Sequence, residues 1–250
     1  MPIGKNEVLR VLRHPSLSKI NFSVGAITVD AEGYRNVAAY VEAADIKVVP
    51  GTEDIAFYDG RLNTITTPAV NPPLDTGRSA QLLHECTHAI VDIDRLDVLR
   101  LDDEVAAYLA QLVFMRVAEP GPFPRPLPIS PATLGPLMRL MTAMQRVIYR
   151  YKLHTSEGFG VRISELDIVG LRRVVHAHPE YQHIQWGEKG NAKHLGVPVR
   201  EDDDRAVKPA KNPPPPNSQI GRLRHALLLG KRGGTRDANI YSPSPRFGVF

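Results

Sequence analysis

The chain has 250 residues, of which 42% are hydrophobic, with a single cysteine and a formal net charge of +4. This length and apolar content allow a buried core, and one cysteine excludes an intramolecular disulfide framework. No segment approaches the roughly 20 apolar residues that a membrane-spanning helix needs.

Met1 to Ser23 lacks a continuous apolar h-region, so cytoplasmic synthesis without Sec-type export is the default expectation. A secreted effector leaving by another route reads the same way. Phe22 to Val29 reads as a strand and Tyr34 to Ala44 as a helix. Ile46 to Val49, Ile55 to Tyr58 and Asn63 to Thr67 are short β-branched or alternating runs bounded by Pro50-Gly51, Asp59-Gly60 and Pro68. They predict a small strand meander with tight turns.

The pattern then changes from period 2 to period 3.6. Gln81, Leu82, Leu83, Ala89, Ile90 and Val91 flank His84-Glu85-Cys86-Thr87-His88 without glycine or proline. They predict a helix that begins near Thr76 to Ser79 and runs to about Asp94. Histidines four apart share one helix face and can hold a zinc ion, while the glutamate between them reaches water on that ion. Cys86 is two residues from each histidine and points away, as a small buried apolar residue behind the site. Asp92, one turn past His88, is either an orienting group near the site or an exposed helix-end aspartate.

A catalytic zinc usually takes three protein ligands and keeps a fourth position open. Asp102 to Gln111 looks like the source of the third. Asp102 is the expected N-cap, and an alanine-rich run with high helix propensity follows it. Ala106, Ala107 and Ala110 would let this helix approach the first closely, bringing Glu104 to the histidine pair. One Zn2+, held by His84, His88 and Glu104, is the expected cofactor. Glu85 is then the general base, accepting a proton from zinc-activated water that attacks a carbonyl carbon. An oxyanion donor is also needed, and Tyr149, Tyr151 and His154, at the end of the next helix, are the candidates.

His-Glu-x-x-His followed by a helix with Glu-x-x-Ala resembles the gluzincins, the thermolysin-like clan of zinc metallopeptidases, over roughly residues 45 to 115. The stretch from His84 to Asp92 is similar to the active-site helix of that clan. The resemblance implies an α+β, zincin-like fold with a sheet against the metal-bearing helix, and hydrolysis of peptide bonds in a protein or peptide substrate. It also implies that an edge strand, with Asn63 to Thr67 as the candidate, takes an extended peptide by strand addition. Asp103 stands where the clan has a residue supporting a ligand histidine. Tyr108 stands where the clan has a second-shell aspartate, and the 15 residues between His88 and Glu104 make a shorter spacing than in thermolysin itself.

Glu119 to Pro131 alternates proline with other residues and is expected to be extended. Ala132 to Thr155 follows as a long helix with Leu134, Leu137, Met138, Met141, Met144, Ile148 and Tyr151 on its core face. Ser164 to Ala177 is a further helix with Ser164 and Asp167 as a capping pair. His176, His178 and His183 lack the spacing of a second metal site.

Residues 1–185 therefore form the expected catalytic domain, sheet-rich to about residue 70 and helical after it, and 186–250 a largely extended tail. From Arg205 onward nine Lys and Arg face one Asp, so the remainder of the chain is mildly acidic and the tail carries the basic charge. Without aromatic interleaving before Tyr241 the tail argues against nucleic acid, and its prolines suit a spacer or a protein partner. A second reading of the whole chain follows: a non-catalytic protein of the same fold that acts through this tail.

Overall fold

The computed structural model describes residues 3–53, 55–119, 135–155 and 160–190. They belong to the first of two compact units, Met1–Arg200 and Glu201–Phe250. The expected proline-rich stretch from residue 120 and the tail beyond residue 190 lie outside the described residues.

The described residues form an α+β arrangement of six helices and two three-stranded sheets. Helix α1 (Lys5–Leu12), unforeseen in the sequence, turns Val8, Leu9, Val11 and Leu12 into the core. Strands β1 (Asn21–Val24) and β2 (Ile27–Asp30) form an antiparallel hairpin where one strand was expected. Gly25, at φ 59°, supplies the positive φ that a two-residue hairpin loop requires. Asp30 caps α2 (Ala31–Glu42) by accepting from the Gly33 amide at 2.7 Å. Gly33 itself is needed for close packing, since a Cβ there would lie 2.9 Å from Cδ1 of Ile90.

Strands β3 (Lys47–Pro50), β4 (Phe57–Asp59) and β5 (Thr64–Thr67) occupy the three predicted runs, but they are not a meander. The order is β3-β5-β4, with β3 parallel and β4 antiparallel to β5. The strand at Asn63 to Thr67 is therefore central rather than an edge, and β4 is an edge strand instead. Strand β6 (Val161–Arg162) pairs parallel with β1, so sheet structure also recurs late in the chain, contrary to the expected division near residue 70.

Helix α3 (Thr76–Ile93) has the predicted span. Asp75 caps it by accepting from the Arg78 amide, and Leu82, Leu83, Cys86, Ala89 and Ile90 are buried. Helix α4 (Arg100–Ala118) packs beside it with Ala106, Ala107 and Ala110 fully buried, which fits the predicted close approach. Its start differs from the prediction. Leu99 is the N-cap, and Asp102 is buried in the first turn, where Arg172 binds both its carboxylate oxygens.

Helix α5 (Pro136–Arg150) buries Leu140, Met144, Val147 and Ile148, whereas Leu137 and Met138, expected in the core, are exposed. Helix α6 (Glu165–His176) has the predicted cap, with Ser164 accepting from the Asp167 amide. A 3-10 turn, Pro179–Tyr181, follows it. Residues 186–190, assigned to the tail by sequence, pair with the α3–α4 connection. The Arg100 amide donates to the Glu188 carbonyl at 2.9 Å, and the Gly190 amide to the Val98 carbonyl at 2.8 Å. No helix among the described residues is long and apolar enough to cross a membrane.

Candidate metal centre

The helical repeat places His84 and His88 on successive turns of α3, facing α4. Glu104, from the second turn of α4, reaches between them. Its Oε2 lies 3.6 Å from His84 Nε2 and 3.9 Å from His88 Nε2. One ligand atom from each residue falls within a set no more than 4.8 Å across, and this is the one such group found among the described residues.

The donor set fits a zinc ion. Bonds of about 2.1 Å in tetrahedral coordination put neighbouring donors about 3.4 Å apart, close to the two measured separations. Glu104 Oε2 is buried and accepts no hydrogen bond, an expensive arrangement for a carboxylate unless a cation completes it. Burial alone would lower the His88 pKa, but the carboxylates of Asp103 and Glu104 override it and raise the value to about 10. Burial would raise that of Glu104, yet His88 and His84 bring it down to about 2. The acidic and basic groups hold one another charged in a place where neither would be charged alone.

Around these three, the sequence-derived candidates take definite places. Asp103 contacts His88 Nδ1 at 2.8 Å, which orients the ring so that Nε2 faces Glu104. Tyr108, one turn beyond Glu104, sets its ring edge-on to His84 with centroids 4.6 Å apart. Asp92 is fully buried and accepts from the Tyr58 hydroxyl at 2.6 Å, so it is not an exposed helix-end charge. Glu85 faces β4, with its Oε2 accepting from the Tyr58 amide at 3.0 Å, and its charge is felt at both His88 and Tyr108. Cys86 is fully buried and free.

The three oxyanion candidates are not brought to the triad. Tyr149 is exposed, packs edge-on against His154, and lines a crevice with Leu112, Arg116, Gln145 and Ile148. Arg116 is twelve residues beyond Glu104 on α4, about 18 Å along the helix. The Tyr151 hydroxyl donates to Asp167 at 2.7 Å and accepts from the Ser164 amide.

Two phenols missed by the sequence reading surround the site instead. Tyr58 spans from Glu85 to Asp92 and so joins β4 to α3. Its burial between exposed Phe57 and half-buried Asp59 is the one signal available beforehand, since alternation in a half-buried strand points every second residue inward. The Tyr181 hydroxyl meets that of Tyr108 at 3.0 Å, and burial, helped by the Glu104 charge, raises its pKa. No spacing in the sequence announced it.

No family model matches this chain, and neither curated proteins nor solved structures provide a match.

Proposed function

We propose that the chain is a zinc-dependent peptidase of the gluzincin type on a zincin-like fold, with His84, His88 and Glu104 as ligands and Glu85 as general base. The observation that carries this reading is the bare, buried Glu104 Oε2 facing both imidazoles of an H-E-x-x-H helix. When bound, the ion supplies Lewis acidity that polarises a carbonyl and acidifies water.

Glu85 does the proton work. Its Oε2 is fixed by the Tyr58 amide. Its second oxygen, Oε1, then takes the proton of the attacking water and returns it to the leaving nitrogen. Asp103 keeps a proton on His88 Nδ1, which leaves Nε2 as the metal-facing atom. An extended peptide is the substrate class this layout suits, because β4 is an edge strand whose Tyr58 amide already meets the base.

The full chain, its Glu85→Gln variant and a chelated sample should be compared for zinc content and for cleavage of unfolded casein. Wild type and Glu85→Gln are expected to hold one zinc each, with activity lower in the variant by about 10²- to 10⁴-fold. Zinc without activity in either would leave the non-catalytic binding protein as the better reading. Absence of zinc from freshly purified wild type, even after incubation with the metal, would remove both the peptidase and its metal.

A further inference from the structure

Helix α4 carries Glu104 in its second turn, yet no side chain caps its start. Leu99, the N-cap residue, has no side-chain acceptor, and Asp102, the expected cap, is instead held by Arg172. The first amide of the helix is satisfied from far along the chain: Arg100 donates to the Glu188 carbonyl at 2.9 Å.

That carbonyl belongs to a strap, residues 185–190, which lies along the α3–α4 connection. Leu99 and Lys189 form an antiparallel bridge, and the Gly190 amide donates to the Val98 carbonyl at 2.8 Å. The Glu188 carboxylate fixes the strap from both sides. One oxygen accepts from the Gln185 amide at 2.9 Å and the other from the Arg100 guanidinium at 3.0 Å.

Helix geometry carries this to the triad. In the helical ladder the Glu104 amide bonds to the Arg100 carbonyl, so the turn that the strap caps is the one on which Glu104 rests. A helix start without a cap frays, and an ion that needs Glu104 must then rebuild that turn as it binds. A cap already in place removes this cost. The two histidines need no such help, because they lie on α3, which has its own side-chain cap in Asp75.

We propose that residues 185–190 are a latch on metal retention: they give α4 the cap that its own side chains do not, and so hold Glu104 ready for the ion. This rests on the metal reading of the triad but not on peptidase activity. Displacing the strap loosens the metal without altering any ligand.

The test is zinc affinity of the full chain, measured by competition with a chromogenic chelator. Arg100→Pro removes both the amide and the guanidinium that meet Glu188, while proline is favoured at the first position of a helix. Leu99, at φ −67° and ψ 136°, already has the extended backbone that precedes a proline. This variant is expected to bind zinc about 3- to 30-fold more weakly, the worth of one helix cap read as affinity. Arg100→Ala keeps the amide and loses only a partly exposed ion pair, so its affinity should change by less than about twofold. Adding Leu99→Ser to Arg100→Pro gives the helix a local cap and should restore most of the loss. In a Glu104→Ala background the remaining ligands lie on α3, and Arg100→Pro should cost nothing further.

Wild-type affinity in Arg100→Pro would overturn the proposal, as would an equal loss in Arg100→Ala, which would place the effect in the ion pair. No recovery with Leu99→Ser, or an equal loss with and without Glu104, would overturn it too, because either marks a general effect on the fold. Should Arg100→Pro fail to fold when chelated, Gly190→Pro decides: it takes the Gly190 amide from the strap and leaves α4 untouched, and unchanged affinity there is equally fatal. Equal zinc binding by wild type and Glu104→Ala is a different result. It would take away the ligand role of Glu104 and with it the inference.

Discussion

Tyr58→Phe isolates one buried hydrogen bond that joins the edge strand β4 to the H-E-x-x-H helix α3. The Tyr58 hydroxyl donates to Asp92 Oδ2 at 2.6 Å, with Tyr58 7% exposed and Asp92 fully buried. Burial, helped by the Asp92 charge, raises the Tyr58 pKa far above its ordinary value, so the phenol stays protonated and donates at any working pH. The substitution keeps the ring and opens almost no cavity, so the loss is confined to one charge-assisted bond, about 1.5–3 kcal/mol. For a chain of this size that corresponds to a Tm lower by roughly 3–12 °C. Thermal unfolding of the chelated protein measures it directly, with Asp92→Asn as a companion that keeps an acceptor for the phenol and should lose less. A Tm within 1 °C of wild type for Tyr58→Phe would refute the reasoning, because a buried carboxylate deprived of this donor cannot be thermally silent.

Two further outcomes follow from the same geometry. Asp103→Ala removes the 2.8 Å contact on His88 Nδ1 and should weaken zinc binding by about 10- to 100-fold, and Asp103→Asn by less; unchanged affinity in the alanine variant would show that the ring needs no such partner. The pH dependence of the chelated protein has a definite sign. His88 has its pKa raised to about 10, so its contribution is complete below its ordinary value of 6.5 and lost as pH rises through about 10. Glu104, lowered to about 2, contributes above its ordinary 4.5 and loses that contribution as pH falls through about 2. The Tm of chelated protein should therefore fall between pH 7 and 10, while zinc-loaded protein, whose imidazoles are already neutral ligands, should change little. Parallel curves for the two forms would count against the charged His88–Glu104 pair.

What could be read from the sequence, and what could not, divides by the range of the interaction involved. Helix α3 was legible because its period, its cap at Asp75 and its apolar face are all local, and the histidine pair came with it. Glu104 was legible for a related reason, since an alanine-rich neighbour helix can only pack in a few ways. Asp102 shows where this stops. A helix-start aspartate looks the same whether it caps its own helix or, as here, is held by an arginine seventy residues away. Strand existence was likewise local, but strand order was not: alternation puts Ile65 in the core without saying whether β5 has one neighbour or two.

The oxyanion candidates failed on the same boundary. Tyr149, Tyr151 and His154 were favoured for falling at a helix end, whereas Tyr181, which meets Tyr108 beside His84, comes from a three-residue turn. The local code thus brings His84, His88 and Glu104 together, while the phenols around them, Tyr181 beside Tyr108 and Tyr58 between Glu85 and Asp92, arrive through long-range closure. On this account, substitutions that disturb the turn at Pro179–Tyr181 should loosen the Tyr108 ring beside His84 while leaving every residue of the H-E-x-x-H helix in place.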